Sequence, residues 1–119
     1  MTRVLISGAG IAGPALAFWL IRHGFEPTLI ERAPRFRDSG YMIDIWGIGD
    51  DLLERMGLLD AAGERGYAFE RLAFVDERGR RVSGFDADAF RRAFGRRYFS
   101  IPRGVWLTSC STASRTKSR

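Results

Sequence analysis

The chain opens on a short apolar run, "TRVLISGAG", that stops at glycines. β-Branched and aliphatic residues closed by a turn signal predict a buried strand. "IAGPALAFWLIRHG" follows and is apolar nearly all round, which predicts a helix covered on most sides. Pro14 falls in its first turn, where a missing N–H costs little. Gly24 ends it, with Arg22 and His23 near the negative end of the dipole. "FEPTLIE" predicts a second buried strand. Strand, helix and strand within about thirty residues make a βαβ unit, which requires a parallel pair with a right-handed crossover.

After Glu31 the pattern changes. "RAPRFRDSG" predicts a basic loop and "YMIDIWG" a short strand or extended segment. "GDDLLERMGLLDAAGERG" predicts helix: Asp50 or Asp51 can cap it, Leu52, Leu53 and Met56 share a face, and Gly57 breaks it. "FERLAFVDERGRRVSGF" predicts a β-hairpin, with Leu72, Phe74 and Val82 in strands flanking a polar "DERGR" turn. "YFSIPRG" predicts a last short strand. From Val105 onward, "VWLTSCSTASRTKSR" shows no helical period and is expected to be disordered or poorly packed. The fold class expected is therefore α/β: an incomplete Rossmann-type domain, a βαβ unit with a helical segment and a β-hairpin. Residues 1–104 form a partial domain with the start of a second, and 105–119 form a tail.

A chain of 119 residues suffices for one domain with one core, and 45% apolar content is ordinary for a globular protein. No apolar run approaches the roughly 18 residues of a membrane span, and the first run breaks too soon for a signal peptide. A cytoplasmic location without a membrane partner is expected. The single cysteine, Cys110, cannot form an internal disulfide, which fits a reducing compartment. It lies in no setting that would make it reactive.

The net charge of +5 raises the question of nucleic acid, but Arg115, Lys117 and Arg119 supply three of those charges and no acid follows Asp88. "FRRAFGRRYF" alternates basic and aromatic residues, a pattern that suits single strands. It is read instead as a solvated helix or loop with Phe90, Phe94 and Phe99 turned inward, and no nucleic-acid partner is expected. Trp19 and Trp46 are read as packing. His23 is the only histidine, so His-based or metal chemistry has little support.

One motif carries chemistry. Gly8-x-Gly10-x-x-Gly13 follows a predicted strand directly and opens a predicted helix. Gly8 can make the tight turn, Gly10 lets a pyrophosphate approach the backbone, and Gly13 lets helix and strand pack closely. The helix N-terminus offers N–H groups and a positive dipole to phosphates. Glu31 ends the second strand, where its carboxylate can accept from both ribose hydroxyls of an adenosine. A 2′-phosphate beside Glu31 would be repelled, which leaves FAD or NAD.

Three stretches in this order, "GAGIAGPALAFWLIRHGFEPTLIERAP", "GYMIDIWGIGDDLLERMGLLD" and "SIPRG", make residues 1–104 resemble the N-terminal part of the FAD-dependent aromatic-ring monooxygenases. These flavoprotein hydroxylases include para-hydroxybenzoate hydroxylase-type and tetracycline-degrading enzymes. The resemblance implies FAD as cofactor, NAD(P)H as reductant and hydroxylation of a small aromatic or polyketide-like substrate. It implies that Gly8, Gly10, Gly13 and Glu31 hold the ADP half of FAD, with Arg32 completing the family's "ER" pair. Asp44 matches a flavin-contacting Asp, with a strand-end Asp bonded to local backbone as the alternative. Arg103 matches an Arg that binds the cofactor through its guanidinium fork, with a surface Arg as the alternative. Arg37 falls where the family can place an NADPH-contacting Arg, with a solvated loop charge as the alternative. The scheme needs no side-chain acid or base, so no catalytic residue is named. A non-catalytic FAD-binding fragment and an NAD-dependent oxidoreductase or small nucleotide-binding module remain as other readings, and the oligomeric state is left open.

The family runs to roughly three times this length by that resemblance, and follows "PRG" with Asp-Leu-Ala and an amphipathic helix. GC-rich codons for residues 105–119, read in a shifted frame, give Leu-Ala-Asp-Leu-Val-Gln-His-Gly-Ile-Glu, a family-like continuation. The sequence therefore carries the expectation of a frameshift after Gly104 that truncates a longer flavoprotein.

Overall fold

The structure is a computed structural model that describes residues 1–34, 41–94 and 98–115. Strand β1 (Arg3–Ser7), helix α1 (Ala12–Arg22) and strand β2 (Glu26–Ile30) form the predicted βαβ unit. β1 and β2 pair in parallel, with Arg3 opposite Glu26 and Ser7 opposite Ile30. The chain leaves β1 through Gly8 at φ +104°, a conformation that side chains resist. The Gly8 N–H donates to the Ile30 carbonyl at 2.7 Å and so ties this turn to the end of β2.

α1 covers one face of the pair. A Cβ on Gly13 would meet Leu29, so Leu29 and its neighbour Ile6 point toward the helix, and Ile6 is buried. Alternation then places Leu5 and Ile30 on the opposite face, where they are exposed. α1 is covered on most sides, as expected, with Ala12, Leu16 and Arg22 left exposed. Pro14 and Phe18 are buried, whereas Leu16 is half exposed. The apolar sequence suits a parallel sheet covered on both faces. Among the described residues the sheet has two strands, and one face is left open.

Strand β3 (Met42–Ile45) finds its partner far along the chain, in strand β6 (Phe99–Pro102), and pairs antiparallel with Asp44 opposite Ser100. Tyr67 extends this pair, exchanging two backbone hydrogen bonds with Ser100. Helix α2 (Ile48–Met56) buries Leu53 and Met56 and ends on Gly57 in the left-handed region, as its pattern predicts. Its N-cap is Gly47, and Asp50 and Asp51 lie inside the first turn. There they meet the positive end of the dipole instead of capping by side chain. Helix α3 (Leu59–Glu64) follows.

Strands β4 (Arg71–Val75) and β5 (Arg81–Asp86) form the predicted hairpin. Its turn closes on Asp76, whose carboxylate accepts from the Arg78 and Arg80 amides at 2.9 Å and from Arg80 Nε at 2.8 Å. Helix α4 (Ala87–Phe94) carries the first half of the basic and aromatic stretch. Phe90 turns inward, with ring centroids 5.4 Å from Trp46, 5.6 Å from Phe85 and 4.5 Å from Tyr98. Arg91 pairs with Asp88 at 2.8 Å and donates to the Phe69 carbonyl.

The segment after Gly104 corrects the sequence reading. Residues Arg103–Arg115 form helix α5 where disorder is expected from Val105 on. Trp106 and Cys110, one helical turn apart, are both buried in the core with Phe18, Leu53, Met56 and Ile101. The run of hydroxyl residues does not prevent this. Thr108 Oγ1 donates back to the Gly104 carbonyl at 2.9 Å, a bond that a helix tolerates.

Burial pushes the Cys110 thiol from its ordinary 9.0 up to about 12. At pH 8 it is therefore expected to react with an aromatic disulfide reagent at least about 100-fold more slowly in the folded chain than in urea. Equal rates would show that α5 does not protect it. The raised value also signs a pH dependence. The thiol's contribution to stability is complete below pH 9.0 and is lost as pH climbs toward about 12, because only the unfolded chain releases that proton.

Candidate dinucleotide-binding site

The glycine motif becomes a cradle through contacts that sequence spacing only implies. A Cβ on Gly13 would lie 2.0 Å from the Gly8 carbonyl oxygen, so helix and strand approach as closely as two backbones can. A Cβ on Gly10 would meet one side chain, Arg103, at 3.3 Å from Nη2. α1 has Ile11 as its N-cap, with no side-chain cap and no acid in its first turn. Its leading N–H groups therefore remain suited to an anionic ligand.

Glu31 lies just past β2 and brackets this cradle. Its Oε2 accepts from the Ala9 amide inside the glycine motif at 2.8 Å, and its Oε1 accepts from the Ala33 amide at 2.9 Å. These bonds fix the carboxylate's position. Arg32 is exposed beside it.

Arg103 opens α5, and the turn from β6 delivers it to the glycine loop. Its Nε is buried with no hydrogen-bond partner among the described residues. Leaving such a donor unmet costs roughly 1–3 kcal/mol. Arg103 is partly buried, and no ion pair among the described residues includes it. The donor set fits an anionic dinucleotide: a guanidinium and helix-end amides for phosphates, and a carboxylate for ribose hydroxyls.

Asp44 stands elsewhere. Its Oδ1 accepts from Ser100 Oγ at 2.5 Å across the β3–β6 pair, so its partner is a cross-strand hydroxyl rather than the local backbone. Burial raises the pKa of the nearby Tyr98 phenol, Asp44 adds to the rise, and Arg91 opposes it. No hydrogen bond or ion pair among the described residues joins Asp44 to the glycine loop. Arg37 lies outside the described residues.

Sequence reasoning missed Trp106. Its buried indole N–H donates to the carbonyl of Ile11, within the glycine motif, at 2.9 Å. The available signal was a lone Trp in a polar run, since a buried indole N–H needs an acceptor.

No family model matches the chain. It is 53% identical over 64 residues to an uncharacterized protein of Mycobacterium tuberculosis strain H37Rv, a match covering 54% of this chain and 17% of that protein. It is 48% identical over 59 residues to a flavin-dependent monooxygenase of an unknown prokaryotic organism, covering 50% of this chain and 15% of that protein. In structure it is similar to tetracycline destructase Tet(51), with a TM-score of 0.69 and 31% identity, over 96% of this chain and 28% of that one. The chain thus spans less than a third of each of these proteins.

Proposed function

We propose that the chain is the N-terminal part of an FAD-dependent monooxygenase, like the proteins it resembles, and that it holds the ADP half of FAD between the Gly8–Gly13 loop, Glu31 and Arg103. Gly10 admits the pyrophosphate to the backbone, and the first-turn amides of α1 receive it. The Arg103 guanidinium binds the same phosphates as a charged fork. Glu31 orients the ribose through its hydroxyls and disfavours a 2′-phosphate, with Arg32 beside it. Asp44, steadied by Ser100, meets the flavin half, and Arg37 contacts the nicotinamide reductant. Bound FAD, reduced by NAD(P)H, supplies oxygen activation for hydroxylating a small aromatic or polyketide-like substrate. The protein's part is to bind, orient and exclude water.

The observation that carries this reading is Arg103, whose Nη2 lies against Gly10 and whose buried Nε has no hydrogen-bond partner among the described residues. It is tested by purifying the 119-residue chain and dialysing it against FAD or NAD. Retained flavin absorbance supports the reading. Retention of NAD without FAD would move the chain to the nicotinamide-dependent oxidoreductases.

For these 119 residues alone we propose binding without turnover. The support is the open face of the β1–β2 sheet, with Leu5 and Ile30 exposed. So thin a layer does not close a site that must exclude water. Substrate-dependent NADPH consumption by the purified chain would refute this.

A further inference from the structure

Two of the side chains that reach the glycine loop from outside it come from one turn of one helix. Arg103 and Trp106 stand three apart at the start of α5, so they project from the same face. Arg103 lies against Gly10, and Trp106 donates to the carbonyl of the next residue, Ile11. Ile11 is the N-cap of α1, in helical φ/ψ and without a capping side chain. The loop therefore lacks the local restraint that a Ser, Thr or Asp at that position would give.

We propose that Trp106 is a positioning residue for the dinucleotide loop. Its indole N–H clamps the Ile11 carbonyl and so holds the α1 amides in line with Arg103. This deepens the FAD reading and rests on it for the identity of the ligand. The clamp itself is a property of the loop and can be measured without any nucleotide. A hydrogen bond from a buried indole suits this role because the ring is anchored by core packing while its single donor points one way. The segment after Gly104, whose sequence suggests a loose end, thus acts as the brace of the cofactor loop.

The test compares Trp106→Phe with Cys110→Ala in the full chain. Trp106→Phe keeps an apolar ring and removes the donor. Cys110→Ala loosens the same helix one turn on, away from the loop. Amide hydrogen exchange at residues 9–13, without nucleotide, is expected to speed up about fivefold in Trp106→Phe, as befits one hydrogen bond, and to stay unchanged in Cys110→Ala. FAD affinity is expected to fall about fivefold in Trp106→Phe only. Unchanged loop exchange in Trp106→Phe would overturn the proposal, as would equal effects of both variants, which would reduce Trp106 to core packing. An unchanged FAD affinity in a chain that binds FAD would also overturn it. If the unsubstituted chain binds no FAD while loop exchange still responds only to Trp106→Phe, the clamp stands and the FAD reading falls.

Discussion

Gly13→Ala is expected to unfold the βαβ unit, not merely to weaken nucleotide binding. The added Cβ would sit 2.0 Å from the Gly8 carbonyl oxygen, 3.2 Å from its carbonyl carbon and 3.1 Å from Leu29 Cδ1. The nearest of these is backbone and cannot swing aside like the end of a flexible side chain. Relief requires α1 to move off β1 by more than an ångström, which breaks the packing of Phe18 in the core. Overpacking ordinarily costs about 1–3 kcal/mol, and a backbone clash belongs at or above the top of that range. Urea unfolding followed by far-UV circular dichroism should show a loss of about 3 kcal/mol or more. Gly63→Ala is the matched control: it lies in α3, and its Cβ would meet nothing within 4 Å. It should be neutral or stabilise by up to about 1 kcal/mol, from helix propensity. A Gly13→Ala chain within about 1 kcal/mol of the original would show that the helix and strand are not so closely packed.

Arg103→Met should separate binding from stability. Methionine keeps the apolar stem and removes the guanidinium. Hydrogen bonds to charged groups contribute about 1.5–3 kcal/mol each, so losing a two-pronged phosphate contact should raise the FAD dissociation constant about a hundredfold. Stability without nucleotide should hold or rise, because the substitution removes a buried Nε that has no partner among the described residues. A purely structural arginine would behave in the reverse way, losing stability and leaving FAD affinity within about threefold. Fluorescence titration of FAD and urea unfolding on the same preparation read both quantities.

Some of this is legible in the sequence and some is not, for physical reasons. β1, α1 and β2 announce themselves locally, through an aliphatic run, a glycine turn, Pro14 in a first turn and Gly24 at φ +80° after the helix. Gly57 and the Asp76 turn are equally local. The pairing of β3 with β6 is not, since Asp44 and its partner Ser100 are 56 residues apart and neither strand's pattern names the other. α5 is hidden because Ser and Thr usually signal loops, and its two core anchors, Trp106 and Cys110, are too few to make a period. At the site, Gly8, Gly10, Gly13 and Glu31 follow from spacing, and the structure gathers them as spacing implies. Arg103 entered by resemblance, and its approach to Gly10 is a fact of tertiary structure alone. Ser100 and Trp106 became visible only through the groups they bond.

The central claim is that these residues recognise the adenosine diphosphate end of FAD rather than its flavin. Competition titration of FAD-loaded chain with ADP and, separately, with FMN tests it most directly. The account predicts that ADP displaces FAD and that FMN does not. Displacement by FMN but not by ADP, or no FAD binding by a folded chain, would contradict it.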